Sequence, residues 1–200
     1  MAGQIALNKP SEGQLILSPE DGTSTETVSI PAAGVMAADV ATGKILQVVQ
    51  TQSQSVETIT GTSFTTLNTL TTSITPTSAD SKILVIVNIN YSATSNAYPA
   101  YKIKRDGETN VGVPAENGTG IECTFGSYVP QSTSMQYRME LASYQILDTP
   151  NTTNSVEYSV KVSPMRTSSH TYQMNRSITT GDDNQFQRTT STMTLMEVAA

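Results

Sequence analysis

The run from Ser81 to Tyr91, Ser-Lys-Ile-Leu-Val-Ile-Val-Asn-Ile-Asn-Tyr, constrains the fold more than any other stretch of the chain. Almost every residue in it favours β-structure, and both faces are apolar from Ile83 to Val87, which predicts a strand covered on both sides. From Asn88 onward the even positions become polar while the odd positions stay apolar. This change predicts a central sandwich strand that reaches the surface at its far end.

Short candidate strands surround this run, with polar turns between them. Tyr101–Arg105 and Glu108–Gly112 flank Asp106-Gly107, a dipeptide that tolerates positive φ at both turn positions and therefore predicts a hairpin. The other predicted strands cover residues 44–50, 56–59, 64–74, 121–125, 135–147, 155–162 and 189–198. About ten short strands without a convincing long helix predict an all-β fold, an antiparallel β-sandwich that is jelly-roll-like.

In two of these stretches the hydrophobic pattern alone leaves open either the type of secondary structure or the face of the strand that is buried. Residues 64–74 have apolar side chains at a helical spacing, but their threonines favour a strand because β-branched side chains are costly in helices. In residues 135–147 one face carries Met135, Tyr137, Met139 and Leu141, and the opposite face is polar at Gln136, Arg138 and Glu140. We predict that the polar face is the outer surface.

The end of the chain carries a polar stretch and then a strand. Residues 170–186 are interpreted as a long polar excursion over the surface. In the closing strand Met193 and Leu195 share one face, and Met196 and Val198 share the other. At least one of these two faces is expected in the core, because an unpaired apolar end would associate non-specifically.

Residues 1–42 differ from the rest and predict an N-terminal attachment arm or linker, before a display domain that covers residues 43–200. Gln14–Ser18 and Glu26–Ile30 are strand candidates on either side of a Pro-Glu-Asp-Gly turn, and a small-residue stretch follows. A lone hairpin is marginal in water, so this segment is expected to need a partner surface. The alternative is an arm that packs on its own domain.

Composition excludes several classes of protein. The net charge is −6 and the basic residues are not clustered, so nucleic-acid binding is not expected. Cys123 is the one cysteine, which excludes an intrachain disulfide. The chain has no signal-peptide pattern and no apolar run of membrane-spanning length. We therefore expect folding in a reducing cytoplasm and no membrane insertion.

No constellation of residues predicts catalysis, a cofactor or a metal site. His170 is the one histidine, and no nucleophile or orienting acid can be placed beside it. It is interpreted as a surface-loop residue, and Cys123 as a buried, inert thiol on a short strand with Ile121 and Phe125. Asp182-Asp183 is interpreted as a solvated turn, with a contribution to a calcium site as the alternative.

Three residues in predicted loops are candidates for contact with a carbohydrate or a protein. Tyr98 and Tyr128 each lie close to a proline, and Asn117 begins a glycine-rich loop. An exposed tyrosine offers a rigid ring with a large contact area at low entropic cost. The alternative for the tyrosines is ordinary packing within the sandwich.

Several strings in residues 43–200 carry a family resemblance: Gly43-Lys-Ile-Leu-Gln-Val-Val-Gln50, Ser73-Ile-Thr-Pro-Thr-Ser-Ala-Asp-Ser-Lys-Ile-Leu-Val85, Tyr101-Lys-Ile-Lys-Arg-Asp-Gly107 and Ser191-Thr-Met-Thr-Leu-Met-Glu-Val-Ala-Ala200. The chain resembles C-terminal domains of bacteriophage fibre proteins, especially those of marine and cyanobacterial phages. The resemblance implies a virion structural protein, a homotrimer on the particle surface that presents loops to the host.

The expected function is therefore that of a short tail-fibre or spike component, docked to another virion protein through residues 1–42. Tyr98, Asn117 and Tyr128 are its candidate contacts with a host-surface glycan or protein. The alternative is a capsid (head) decoration or head-fibre protein. A polysaccharide depolymerase would need paired carboxylates in a groove, typically on a β-helix, and the sequence shows no repeat of the required period.

Overall fold

The structure is a computed structural model that describes residues 44–131, 137–164, 170–179, 181 and 186–200. Several of the expectations above fall outside these residues, namely those for the arm at residues 1–42, for Met135 and Gln136, and for Asp182-Asp183. The first described strand begins at Ile45.

The described residues form twelve strands in two antiparallel sheets and no α-helix. In chain order they are β1 (Ile45–Ser53), β2 (Glu57–Gly61), β3 (Thr65–Thr66), β4 (Thr72–Ile74), β5 (Lys82–Ala93), β6 (Ala100–Arg105), β7 (Thr109–Val111), β8 (Phe125–Gly126), β9 (Glu140–Asp148), β10 (Val156–Ser163), β11 (His170–Met174) and β12 (Ser191–Val198). The first sheet has the order β1-β12-β5-β11-β2 with β9 also on β5, and the second has β3-β10-β6-β7 with β4 on β10 and β8 on β6. The predicted all-β antiparallel sandwich is confirmed.

Strand β5 is the centre of the first sheet, because it pairs with β12 and β11 along one edge and with β9 along the other. Its odd-numbered side chains from Ile83 to Tyr91 are at most 1% exposed and form the middle of the core. Leu84 and Ile86 on the opposite face are only half-buried. The prediction of apolar cover on both faces is therefore wrong, since in a two-layer sandwich only one face of a sheet meets the other sheet.

Aromatic side chains connect the two sheets in the core. The rings of Tyr91 and Tyr172, both on the first sheet, stack with their centroids 5.2 Å apart. Tyr101 on β6 of the second sheet presents an edge-on contact to each of them at 6.1 Å. Such edge-to-face and stacked pairs stabilise a core beyond the area that they bury.

Asn175, directly after β11, joins four segments of the first sheet. Its side-chain amide donates to the carbonyl oxygens of Ser53, the last residue of β1, and of Ser55 in the connection to β2, at 2.9 and 3.0 Å. Its side-chain oxygen accepts a hydrogen bond of 2.6 Å from the hydroxyl of Ser191 on β12. Its backbone N–H donates to the carbonyl oxygen of Asn90 on β5, 2.8 Å away.

The single strand predicted for residues 64–74 is wrong. The structure has two short strands, β3 and β4, with a turn between them in which Leu67 and Leu70 are fully buried. The carboxylate of Glu57 accepts two backbone N–H groups of this turn, at 2.9 and 2.7 Å. The helical spacing of the two leucines therefore comes from one tight turn. The threonine-containing segments on either side of this turn form the short strands β3 and β4.

The polar excursion predicted for residues 170–186 is also wrong at its start. Residues 170–174 form β11, which pairs with both β2 and β5. Tyr172 and Met174 are fully buried. The polar composition of this stretch was therefore misleading, because its alternating Tyr172 and Met174 face the core while β2 and β5 pair with its two edges.

The face predicted for the strand in residues 135–147 is reversed. Leu141 and Leu147 on β9 are 61% and 47% exposed, although Leu141 was expected on the inner face. The inward residues are Ala142, Tyr144 and Ile146, which pack at or against the core. A one-residue change of phase moves every side chain of a strand to the other face.

Two predictions about individual strands are confirmed. Asp106 and Gly107 connect β6 to β7 with φ values of 49° and 80°, as the predicted hairpin requires. In the closing strand β12, Met193 and Leu195 lie fully buried in the core.

Candidate functional site

The backbone pairing of β6 with β8 continues beyond the ends of both strands. Within the strands, residue 100 lies opposite residue 126, and residue 101 lies opposite residue 125. Two backbone hydrogen bonds of 2.9 Å extend the same register, from Ser127 N to Pro99 O and from Val129 N to Ala97 O. The register places Tyr98 directly opposite Tyr128.

The rings of Tyr98 and Tyr128 form an exposed aromatic pair. Their centroids are 4.8 Å apart with a tilt of 34°, and the two residues are 42% and 50% exposed. Their neighbours Ala97 and Val129 are buried. Because successive side chains of an extended chain point to opposite faces, burial of these neighbours directs the two rings outward.

The backbone that carries the tyrosine pair is fixed from several sides. The hydroxyl of Tyr91, in the core, donates to the hydroxyl of Ser127 at 2.8 Å. The backbone N–H of Tyr98 donates to the carbonyl oxygen of Pro164 at 3.0 Å. Asn96 turns the chain before the pair with a φ of 65°, a conformation that asparagine tolerates better than most residues. The two rings are therefore presented on a rigid support.

The third candidate residue, Asn117, does not contact the tyrosine pair among the described residues. It is exposed in the loop between β7 and β8, where Gly118 has a φ of 82°. No hydrogen bond or ring contact among the described residues joins it to Tyr98 or Tyr128. The structure thus brings together two of the three candidate residues.

The tyrosine pair offers two ring faces and two phenolic hydroxyls without a formal charge. Aromatic faces pack against the C–H face of a sugar or against apolar protein side chains, and the hydroxyls donate and accept hydrogen bonds. Among the residues that the structure describes, no cluster of three or more His, Cys, Asp or Glu side chains could hold a metal ion. The arrangement is suited to recognition of a neutral surface.

His170 and Cys123 occupy environments that differ from the predictions. His170 lies on β11 rather than in a loop, and its Nδ1 is 3.0 Å from the hydroxyl oxygen of Thr94. Cys123 is partly buried, and the predicted strand of residues 121–125 is reduced to Phe125 and Gly126, with Ile121 exposed. His170 therefore lies on β11 and Cys123 in the segment before β8, and no contact among the described residues joins them as a thiol–imidazole pair.

Glu197 on β12 is a buried carboxylate that the sequence reasoning missed. Its Oε1 accepts hydrogen bonds from the backbone N–H and the hydroxyl of Thr77, and its Oε2 accepts one from the side-chain amide of Gln47, all at 2.7 Å. Burial raises its pKa, but these hydrogen bonds to the charged form outweigh burial and lower the pKa to about 2. The alternation that places Met193 and Leu195 in the core also places Glu197 there, so the signal was present in the sequence.

None of the described residues forms a helix that is both long and apolar enough to cross a membrane.

Comparisons with known proteins find little. No protein-family model matches the chain, and no curated protein matches it. Two solved structures of infectious bursal disease virus, of the Gt and the Gx strain, are 16% and 14% identical to it, each with a TM-score of 0.37. Each match covers 94% of this chain, but the chain spans only about half the length of the viral chains, 48% and 46%. At this TM-score the likeness gives no basis for assigning a family or a function.

Proposed function

We propose that the chain is a virion structural protein, a short tail-fibre or spike component that attaches to a host surface through Tyr98 and Tyr128. The resemblance of residues 43–200 to phage fibre domains supports the virion role. The same resemblance implies three copies in one spike. Docking to another virion protein through residues 1–42 is supported instead by the hairpin predicted there, because a lone hairpin is marginal in water and needs a partner surface.

The observation that carries the attachment role is the geometry of the tyrosine pair. Four other tyrosines are at most 1% exposed and belong to the core: Tyr91, Tyr101, Tyr158 and Tyr172. Tyr98 and Tyr128 instead face outward on a backbone that the core holds in place. Rigid, exposed aromatic residues dominate many binding surfaces because little conformational entropy is lost when they are covered.

Binding of the purified full-length protein to host cells and to a panel of bacterial surface polysaccharides tests this role. Tyr98→Ala and Tyr128→Ala should each weaken binding by roughly five- to thirtyfold, because a contact aromatic is worth on the order of 1–2 kcal/mol. Tyr→Phe at the same positions should retain part of the affinity, since it keeps the ring. Tyr137→Ala is the matched control, because Tyr137 is exposed but pairs with Phe186 instead, at 6.0 Å.

Unchanged binding in both alanine variants would reject the attachment site. Labelled antibody on intact particles then separates the two virion locations, since signal on the head instead of the tail tip would favour capsid decoration. Release of sugar fragments from a host polysaccharide would favour a depolymerase.

A double variant, His170→Ala with Cys123→Ser, should leave binding intact because neither residue is part of the tyrosine pair.

The docking role of residues 1–42 has its own test. A chain that begins at Gly43 should keep the far-ultraviolet signal of a folded sheet protein and fail to join particles. Incorporation of this shortened chain would assign docking to the sandwich instead.

A further inference from the structure

Strand β9 has one edge without a partner among the described residues. Its other edge pairs with β5 along its whole length, from Glu140 to Asp148, in a register without a bulge. An unpaired edge strand presents a row of backbone N–H and C=O groups that can pair with another chain.

Hydrogen bonds of β5 identify the groups that point out of this edge. The N–H and C=O of Asn90 both point away from β9, toward Ser191 and Asn175. These directions alternate along a strand, so the odd-numbered residues of β5 bond to the even-numbered residues of β9. The backbone groups that point to the open edge are therefore those of Leu141, Ser143, Gln145 and Leu147.

The side chains of these four residues are arranged symmetrically about Tyr144. Leucines lie three residues away on either side, and Ser143 and Gln145 are the immediate neighbours. If two copies of β9 meet antiparallel with Tyr144 at the centre, Leu141 faces the partner's Leu147, and Ser143 faces the partner's Gln145. Each of these pairs consists of residues whose backbone groups point outward, as a hydrogen-bonded pair requires.

The geometry points to a two-fold dimer of this chain in which β9 pairs antiparallel with β9 of a second copy, centred on Tyr144. The dimer joins the two first sheets into one continuous sheet. It also extends an apolar row on the outer face, in which Val48, Met196, Leu84 and Leu147 lie side by side across four strands. In the dimer this row continues onto the partner's Leu141. The inference does not depend on the proposed attachment function, and it gives two copies where the family resemblance implies three.

The β9 edge lacks the features that usually prevent such pairing. Natural sheets protect their edges with lysine, proline, bulges or covering segments. Strand β9 has neither lysine nor proline and no bulge. Strand β1, at the opposite edge of the same sheet, has an irregular register between Ile45 and Gln47. Of these two edges, β9 is therefore the one suited to a second copy.

Charge and area are both compatible with a second copy as the occupant. Two chains of net charge −6 repel each other, but the four outward residues of β9 are uncharged. The charged ends of the strand are already paired, Glu140 with Arg138 at 3.1 Å and Asp148 with Arg105 at 2.6 Å. A nine-residue strand is roughly 30 Å long, so the pairing buries on the order of 1,000 Å². This is the lower bound of specific interfaces, and we expect dissociation constants in the micromolar range.

Light scattering and analytical ultracentrifugation of the full-length protein test the dimer. At tens of micromolar the wild type should have twice the chain mass. Leu141→Lys and Leu147→Glu should each give monomers, because each places a charge against a leucine of the partner.

The double variant, Leu141→Lys with Leu147→Glu, should recover the dimer. In the proposed register the introduced lysine of each copy faces the introduced glutamate of the other, which gives two ion pairs. These pairs form only between copies, since positions 141 and 147 lie six residues apart on one straight strand. Val48→Lys, on the outer face at the other edge, is the control and should remain dimeric.

Several outcomes would overturn the proposal. These are a monomeric wild type, a threefold mass that the β9 variants leave unchanged, and a double variant that stays monomeric.

Amide exchange gives an independent readout, because the N–H groups of Ser143 and Gln145 should gain protection only as dimer forms. Equal protection of these groups in a monomer would assign the edge to another part of the same chain. All variants should keep the wild-type circular dichroism, since the changed side chains point outward.

Discussion

Asp148 on β9 lies 2.6 Å from the guanidinium of Arg105 on β6, so one ion pair joins the edge of the first sheet to the middle of the second. The same carboxylate oxygen accepts a hydrogen bond of 2.7 Å from the hydroxyl of Tyr158 on β10. The two charged side chains are 16% and 19% exposed, so water screens them only in part. Burial, and then the bond to Asp148, raise the pKa of Tyr158, which keeps its hydroxyl protonated as the donor.

Asp148→Ala should therefore lower the free energy of unfolding by about 2–4 kcal/mol, because it leaves a shielded guanidinium and a buried hydroxyl without their acceptor. Urea unfolding monitored by circular dichroism measures the change. Glu108→Ala is the control, because its ion pair with Lys161 is 3.6 Å long and the Glu108 side chain is 88% exposed. It should cost less than about 1 kcal/mol. Equal losses in the two variants would mean that the Asp148 contacts contribute no more than a surface pair.

Glu197 should make stability depend on pH in the acid range. Its pKa is lowered from 4.5 to about 2 on folding, so the folded state favours the charged form. The stabilisation is fully present above pH 4.5 and is lost as the pH falls toward 2. Glu197→Gln should cost about 1–3 kcal/mol at neutral pH, and the gap between variant and wild type should close between pH 4.5 and pH 2. A gap that is constant with pH would contradict this assignment.

Leu195→Asp should leave the protein insoluble or largely unfolded. Leu195 is fully buried on β12, and an unpaired carboxylate there costs several kcal/mol, a large part of the roughly 5–15 kcal/mol typical of a domain. Thr194→Asp, at the neighbouring position, is not a suitable control. Thr194 is buried, and its hydroxyl accepts a hydrogen bond of 2.7 Å from the side-chain amide of Gln50. Thr192→Asp is the better control, because Thr192 is partly exposed on the outer face. Wild-type-like melting of both variants would mean that the end of the chain is not part of the core.

Gly112→Ala should destabilise more than Gly107→Ala. Both glycines have positive φ, 64° and 80°, which costs an alanine about 1 kcal/mol or slightly more. An added Cβ at Gly107 meets open space, whereas at Gly112 it collides with the Cδ1 of Ile146 on β9. The additional loss should disappear when Ile146→Val removes that methyl group. A double-mutant cycle measured by thermal unfolding detects this coupling.

Local patterns were sufficient where neighbours in the chain decide the structure. The Asp106-Gly107 turn was predictable because its chemistry matches the twist of the two strands that it joins. For β12 the sequence predicted that at least one of its two faces lies in the core, and the face with Met193 and Leu195 does so. Neither prediction requires knowing which strand, distant in the chain, pairs with these residues.

The errors arose where distant segments decide the structure. In β9 both faces carry apolar side chains, so alternation alone could not show that Leu141 points outward and Tyr144 inward. For the candidate site, the sequence indicated that Tyr98 and Tyr128 lie in loops beside prolines. Their positions directly opposite each other depend on the register between β6 and β8, which is set by pairs that are distant in the chain.

The buried amide of Asn175 restricts the cells in which this protein can be produced. Asn175-Arg176-Ser177 is an acceptor sequence for N-linked glycosylation in secretory pathways. An oligosaccharide would be attached to the same nitrogen that donates to Ser53 and Ser55 inside the folded sheet. If Asn175 is glycosylated in an endoplasmic reticulum before the chain folds, its amide nitrogen cannot form both of these hydrogen bonds. Eukaryotic secretion should therefore yield misfolded protein that Asn175→Asp does not rescue, whereas synthesis in a bacterial cytoplasm avoids the modification entirely.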